Sequence, residues 1–166
     1  MGDVFWIHDE FNGRRRPPLA VVKRPRGGKG LQEDIAAMQR EGIRVLVSLL
    51  SPEEALACGL HEEEQAAREA GIEFLHFPLP DHHIPPDTHA FRAFVIMLAR
   101  RLWDHQHIGV HCMASIGRAT LVTACTLIHL GWDPAQALID ISNARRQPVP
   151  DTDEQQEWIL HYKPEL

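Results

Sequence analysis

The chain contains the run His111-Cys112-Met113-Ala114-Ser115-Ile116-Gly117-Arg118, in which a cysteine and an arginine are separated by five residues. The bare spacing is weak. Fixing His before the Cys and Gly before the Arg lowers its chance occurrence to roughly one in a thousand chains of this composition. HIGVHC before the loop reads as a strand, and the residues from Gly117 onward read as a helix. A short loop between a strand end and a helix start points several backbone N–H groups at one spot. The helix adds the positive end of its dipole. Arg118 can bring a planar fork to two phosphate oxygens. The same field favours a thiolate, and a thiolate facing a bound phosphoryl group is a nucleophile. His111 points to the opposite strand face from Cys112, which gives it an orienting or tuning role. The competing reading is a buried strand-end thiol beside a surface arginine.

Asp81 lies 31 residues before Cys112, separated from it by one helical and one strand pattern. One crossover of that kind places both on the same edge of a parallel sheet. An Asp there can protonate a leaving oxygen and then act as base on water. Its plainer reading is a turn residue after proline. His82, His83 and Asp87 are alternative proton donors in the same loop. With His76 and His89 they also raise a metal site, although adjacent loop histidines are weak evidence for one. Arg145 and Arg146 close a helix, where cations suit the dipole, and Arg145 is also a candidate substrate contact.

The elements that must position these groups follow from periodicity. Val4–Ile7 and Leu19–Val22 read as short strands around the breaker cluster NGRRRPP. Leu31, Ile35 and Met38 recur at helical spacing, with Gly42 as a stop. IRVLVSLL (43–50) and IEFLHFPL (72–79) read as strands buried on both faces, and HIGVHC (107–112) as a third strand. Between the first two, Ser51-Pro52-Glu53-Glu54 combines an N-cap, a first-turn proline and a capping-box Glu. It opens a helical stretch broken near Gly59 and ended at Gly71. Further helices are expected from Asp87 or Thr88 to about 105, from 117 to 129, from 133 to about 146, and from Asp151 or Thr152 to about 162. This alternation predicts an α/β fold in which a mostly parallel central sheet is flanked by helices. Ligands in such sheets sit beyond the strand ends, here after residues 50, 79 and 112.

With 166 residues, 44% hydrophobic and 24% charged, the chain reads as one domain (1–166), with basic strands and loop over 1–30 and a core over 43–162. Net charge is −6, but residues 1–30 carry seven Lys/Arg against three acids, leaving −10 on the remainder. An acidic body argues against nucleic acid as partner. The basic head (Arg14, Arg15, Arg16, Lys23, Arg24, Arg26, Lys29) either biases anionic ligands to one side or is a solvated loop. The longest strictly apolar run, Phe94–Ala99, is too short for a membrane span, and no secretory signal is visible, so the expected address is the cytoplasm. Cys58, Cys112 and Cys125, an odd number with no C-x-x-C pair, read as reduced thiols. Cys125 reads as a core thiol, and Cys58 as a resolving partner only if Cys112 is oxidised.

HCMASIGRA resembles the H-C-x-x-G-x-x-R-S/T signature of the cysteine-dependent protein tyrosine phosphatases, and the chain's size resembles their small atypical dual-specificity members. FPLPDHHIP is similar to that family's general-acid loop, with Asp81 at the acid position. PVPDTDEQQEWI is similar to the segment that presents a glutamine to the attacking water, which makes Gln155 the match and Gln156 the runner-up. The resemblance spans about residues 43–162. It implies a phosphatase that passes through a cysteinyl-phosphate, acts on a phosphorylated protein or a small phosphate monoester, and needs neither metal nor cofactor. Met113, Ala114, Ser115, Ile116 and Gly117 would form its phosphate-binding loop, with His111 before it. Two positions depart from the pattern. Ser115 replaces the loop glycine, and Ala119 replaces the hydroxyl residue that helps sulfur leave. Thr120 is about 100° further round the helix, a poor substitute, whereas Ser115 offers a hydroxyl from the loop itself. Slow breakdown of the intermediate is therefore expected. Alternatives are a catalytically weak phosphate-binding module and a sulfur-transfer or redox enzyme using Cys112. Phe5, Trp6 and Phe11 are candidates for an aromatic recognition loop, with core packing as their plainer role.

Overall fold

A computed structural model describes residues 3–8 and 17–164. Arg14, Arg15, Arg16 and Phe11, and most of the NGRRRPP cluster, lie outside the described residues. The strands are β1 (Val4–Trp6), β2 (Leu19–Val22), β3 (Val45–Ser48), β4 (Glu73–His76) and β5 (Ile108–His111). They form one sheet in the order β1-β2-β5-β3-β4, parallel throughout except where β1 runs against β2. The helices are α1 (Leu31–Arg40), α2 (Pro52–Ala57), α3 (Glu63–Glu69), α4 (Thr88–Trp103), α5 (Arg118–His129), α6 (Pro134–Arg145) and α7 (Asp153–Leu160).

Side chains alternate across each strand, so the sheet feeds two cores. Leu19, Val21, Val45, Val47, Ile108 and Val110 face a large core shared with α4, α5, α6 and α7. Ala20, Val22 and Leu46 face a smaller one closed by α1 and α3. Gly109 of β5 has no room for a side chain on that second face. A Cβ there would sit 2.8 Å from a Val22 methyl and 3.0 Å from Ile43.

Helix starts follow the capping residues. Ser51 and Glu54 form a capping box on α2, with Pro52 in the first turn. Asp87 accepts from the Ala90 N–H, Asp133 from Gln136, and Thr152 from Gln155. The stretch after Glu54 is two helices, because Gly59 turns the chain with φ +70°.

One strand differs from expectation. Residues 72–79 read as buried on both faces, yet β4 is an edge strand with Glu73 and His76 exposed. Its single neighbour among the described strands is β3, and Glu73 pairs outward with Arg101 at 2.6 Å. Beyond β4, Phe77 and Leu79 still donate to the Ser48 and Leu49 carbonyls. The acid loop therefore starts from a fixed point beside the β3 end.

Candidate active site

β5 is central, flanked by β2 and β3, and its last residue His111 pairs in register with Ser48. Cys112 follows at 3% exposure, and the chain then turns into α5 through Met113–Gly117. α5 has Gly117 at its N-cap and no side-chain cap, so its first N–H groups are left to the loop. A Cβ on Gly117 would lie 2.9 Å from Asp151 and from the Gln155 Oε1. Only glycine lets the loop pass so close to the start of α7.

Arg118 is the first residue of α5, and its side chain is fully buried. Two parallel bonds join it to Glu54, Nη1 to Oε1 at 2.7 Å and Nη2 to Oε2 at 2.9 Å. Nη1 also donates to the Leu79 carbonyl at 3.1 Å, and Nη2 lies 3.3 Å from Asp81 Oδ1. Burial alone would lower the Arg118 pKa. The Glu54 hydrogen bonds and the negative fields of Cys112, Asp81 and Glu54 outweigh it, so the net shift is upward. In return Arg118, with help from Ser51, holds Glu54 down to about 2 against its own desolvation. The buried Nε of Arg118 has no hydrogen-bond partner among the described residues. A buried, charged donor of this kind suits an incoming oxyanion.

The loop carries further supports. His111, fully buried, meets Glu63 of α3 at 2.5 Å through Nε2, and its Nδ1 lies 3.3 Å from the Cys112 carbonyl. Ser115 adopts φ +56°, the conformation that suits the glycine of the signature. Its hydroxyl donates to the Val22 carbonyl at 2.7 Å and accepts from the Cys112 N–H at 3.4 Å. This corrects the expectation that Ser115 offers its proton to sulfur: Val22 already takes it. Thr120 donates to the Ile116 carbonyl at 2.5 Å, and Ala119 is fully buried. Arg145 donates to the carbonyls of Ser115 (3.0 Å) and Ala114 (3.3 Å), and Arg24 to that of Met113 (3.3 Å). Drawing carbonyls outward in this way leaves the inner side of the loop to its N–H groups.

Asp81 stands at the mouth. His82, at φ +62°, bridges it to Asp151: Nε2 is 3.3 Å from Asp81 Oδ2, and Nδ1 contacts the Asp151 carboxylate. Ligating atoms of these three residues lie within 4.8 Å of one another. His76 is not part of this cluster, and its Nε2 donates to the Leu50 carbonyl at 2.7 Å. Gln155 is buried, whereas Gln156 is exposed. The Gln155 Oε1 accepts from the N–H groups of Asp151 and Thr152, and its Nε2 donates to the His83 carbonyl at 3.2 Å. It therefore ties the acid loop to α7.

Thus Cys112, Arg118, Asp81 and Gln155 gather at one end of the sheet. Two further residues, Glu54 and Glu63, belong to the site without being marked by its motifs. Glu54 was visible as a helix cap in one of the three strand-end loops, which was a usable signal. Glu63 carried none, because only the packing of α3 brings it to His111. Cys58 rests 3.7 Å from the Met113 sulfur, and Cys125 is fully buried, with its thiol pushed up by burial.

A family model described as "Polymorphic toxin system, DSP-PTPase phosphatase" matches residues 20–132. The chain is 30% identical over 108 residues to the probable protein tyrosine phosphatase type IVA A of Dictyostelium discoideum, covering 64% of each. That is just under two thirds of the relative's length. It is 28% identical over 138 residues to the protein tyrosine phosphatase PRL-1 of Leishmania major, covering 78% of this chain and 73% of that one. A crystal structure of kinase associated phosphatase, with serine in place of its catalytic cysteine, superposes with a TM-score of 0.82 at 20% identity. That superposition covers 94% of this chain and 90% of the other, and it shows the shared fold. The chain belongs to the DSP-PTPase family of the cysteine-dependent protein tyrosine phosphatases.

Proposed function

We propose that the protein removes phosphate from phosphoprotein monoesters in two covalent steps. The observation that carries this reading is Arg118. It is a buried guanidinium clamped by Glu54 beside the Cys112 thiol, with Nε unpaired among the described residues.

In the first step the Cys112 sulfur attacks phosphorus and the ester P–O bond breaks. Asp81 passes its proton to the leaving oxygen. Arg118 and the inward N–H groups of residues 113–118 hold the three equatorial oxygens as charge develops on them. In the second step water attacks the cysteinyl-phosphate, Asp81 takes its proton, and the thiolate leaves with orthophosphate as the product. Gln155 holds the acid loop and the start of α7 together. It reaches that water once its bond to the His83 carbonyl is exchanged. His111 orients the base of the loop. Arg145 contacts substrate through whatever guanidinium surface the Ser115 and Ala114 carbonyls leave open. No step calls for a metal or cofactor, and a cytoplasmic setting suits three free thiols.

The test is phosphate release from phosphotyrosine and phosphothreonine peptides by wild type and Cys112→Ser. Turnover by the wild type alone is expected. Tight peptide binding with no release by either protein would instead favour a phosphate-binding module, the reading to which Ala119 and the committed Ser115 hydroxyl point.

A further inference from the structure

Glu63 is the first residue of α3 and His111 the last of β5, and their side chains are 2% and 0% exposed. Each nitrogen of the His111 ring has its own contact. Nε2 lies 2.5 Å from Glu63 Oε2, and Nδ1 lies 3.3 Å from the Cys112 carbonyl oxygen. A neutral imidazole carries one N–H, whereas this ring has an oxygen facing it on both sides. The pair resolves that conflict by holding one proton more than a carboxylate and a neutral ring would. It is then a carboxylate facing an imidazolium, or a carboxylic acid facing the ring tautomer with its proton on Nδ1. Both forms put an N–H on the Cys112 carbonyl. The form with one proton fewer would bury a net negative charge beside the nucleophile and set a bare Nδ1 lone pair against the carbonyl oxygen. The partner at Nε2 thus decides whether Nδ1 holds the carbonyl.

Resting on the phosphatase reading of the loop, we infer that Glu63 is a positioning residue for phosphoryl transfer: through His111 it sets the Met113 N–H in the cradle that holds the equatorial oxygens. The Cys112–Met113 peptide is trans, and in a trans peptide the C=O and N–H point in opposite directions. A carbonyl drawn onto His111 therefore turns the Met113 N–H away from His111, to the side where the phosphoryl group binds. The next three carbonyls are held by arginines, that of Met113 by Arg24 and those of Ala114 and Ser115 by Arg145. A guanidinium is a donor at every working pH and needs no partner to be one. His111 differs, and the carbonyl it holds belongs to the nucleophile itself. Without Glu63 a fully buried ring keeps an unpaired Nε2 and is free to tilt off the Cys112 carbonyl. The first N–H of the cradle then loses its aim.

The test compares two variants of the full chain. Glu63→Leu fills the site without a hydrogen-bonding group, and the carboxamide of Glu63→Gln can donate to Nε2 or accept from it. In folded Glu63→Leu, kcat for an aryl phosphate is expected to fall about 10²-fold while KM changes no more than about threefold, because an oxyanion donor acts mainly in the transition state. Vanadate, which imitates five-coordinate phosphorus, should bind on the order of tenfold more weakly by calorimetry. Glu63→Gln should restore most of both. NMR of the ¹⁵N-labelled wild-type ring, assigned by its loss in His111→Asn, should show Nδ1 protonated, and this readout stands even where Glu63→Leu fails to fold. Wild-type kcat and vanadate affinity in folded Glu63→Leu would overturn the role. So would a loss confined to KM, an equal loss in Glu63→Gln, or a wild-type ring protonated at Nε2 alone. Absence of aryl phosphate turnover by the wild type would count against the phosphatase reading alone, with vanadate binding still deciding the role of Glu63.

Discussion

One carboxylate oxygen of Glu54 accepts from the Ser51 backbone N–H at 3.0 Å and from the Arg118 guanidinium at 2.7 Å. The side chain that starts α2 is thus the one that aims the loop arginine. Removing it takes the bidentate partner from a buried cation and leaves only the more exposed Asp81 carboxylate, 3.3 Å away, to face it, so Glu54→Ala should cost about 3 kcal/mol in urea unfolding. The pH dependence has a defined sign. Glu54 sits at about 2 when folded, against its ordinary 4.5. Its contribution is therefore complete above about pH 4.5 and is lost as pH falls through 2. The stability gap between wild type and Glu54→Gln should shrink across that window.

The Glu63–His111 pair lies under the loop, 2% and 0% exposed, with no solvent to replace a lost partner. Glu63→Ala should destabilise by about 3 kcal/mol or more, and Glu63→Gln, which keeps an acceptor, by less. Urea midpoints of the two variants decide this. Equal midpoints for Glu63→Ala and wild type would show that His111 needs no partner.

Asp81 and His82 are separable. Asp81→Asn should slow turnover of esters with poor leaving groups by about 10²- to 10³-fold, and activated aryl phosphates much less. His82→Ala frees the Asp81 carboxylate from its bridge to Asp151 without removing the proton donor. A loss of only a few-fold is expected, read as kcat on the same pair of substrates.

Ala119 places no hydroxyl near the sulfur, and the Ser115 hydroxyl donates to the Val22 carbonyl. One hydrogen bond to a departing thiolate is worth about 1.5 kcal/mol, on the order of tenfold in rate. Ala119→Ser should therefore speed the second step about tenfold and reduce the pre-steady-state burst. An unchanged burst would place the slow step elsewhere.

The sequence carried the strand–loop–helix around Cys112 and Arg118 clearly, since local spacing and helix punctuation define that unit. Asp81 was legible through a single crossover, and Gln155 only through the resemblance of PVPDTDEQQEWI to the family's glutamine segment. What depended on sheet order was lost. Residues 72–79 look as apolar as a central strand, and only the pairing of β4 with β3 alone makes it an edge. Glu54 was legible as a cap, but its grip on Arg118 spans 64 residues. Glu63 lies in a charged run that resembles a solvated face until α3 packs it against His111. Ser115 shows the same limit in one residue: its left-handed backbone explains where glycine would stand, whereas the target of its hydroxyl is set by β2.

The central claim is the covalent step at Cys112, and acid quenching tests it most directly. Wild-type protein mixed with phosphorus-labelled aryl phosphate, without added metal, should yield a protein-bound label that maps to Cys112. The label should be absent in Cys112→Ser and blocked by vanadate. Full turnover with no label trapped on Cys112, or label retained in Cys112→Ser, would contradict it.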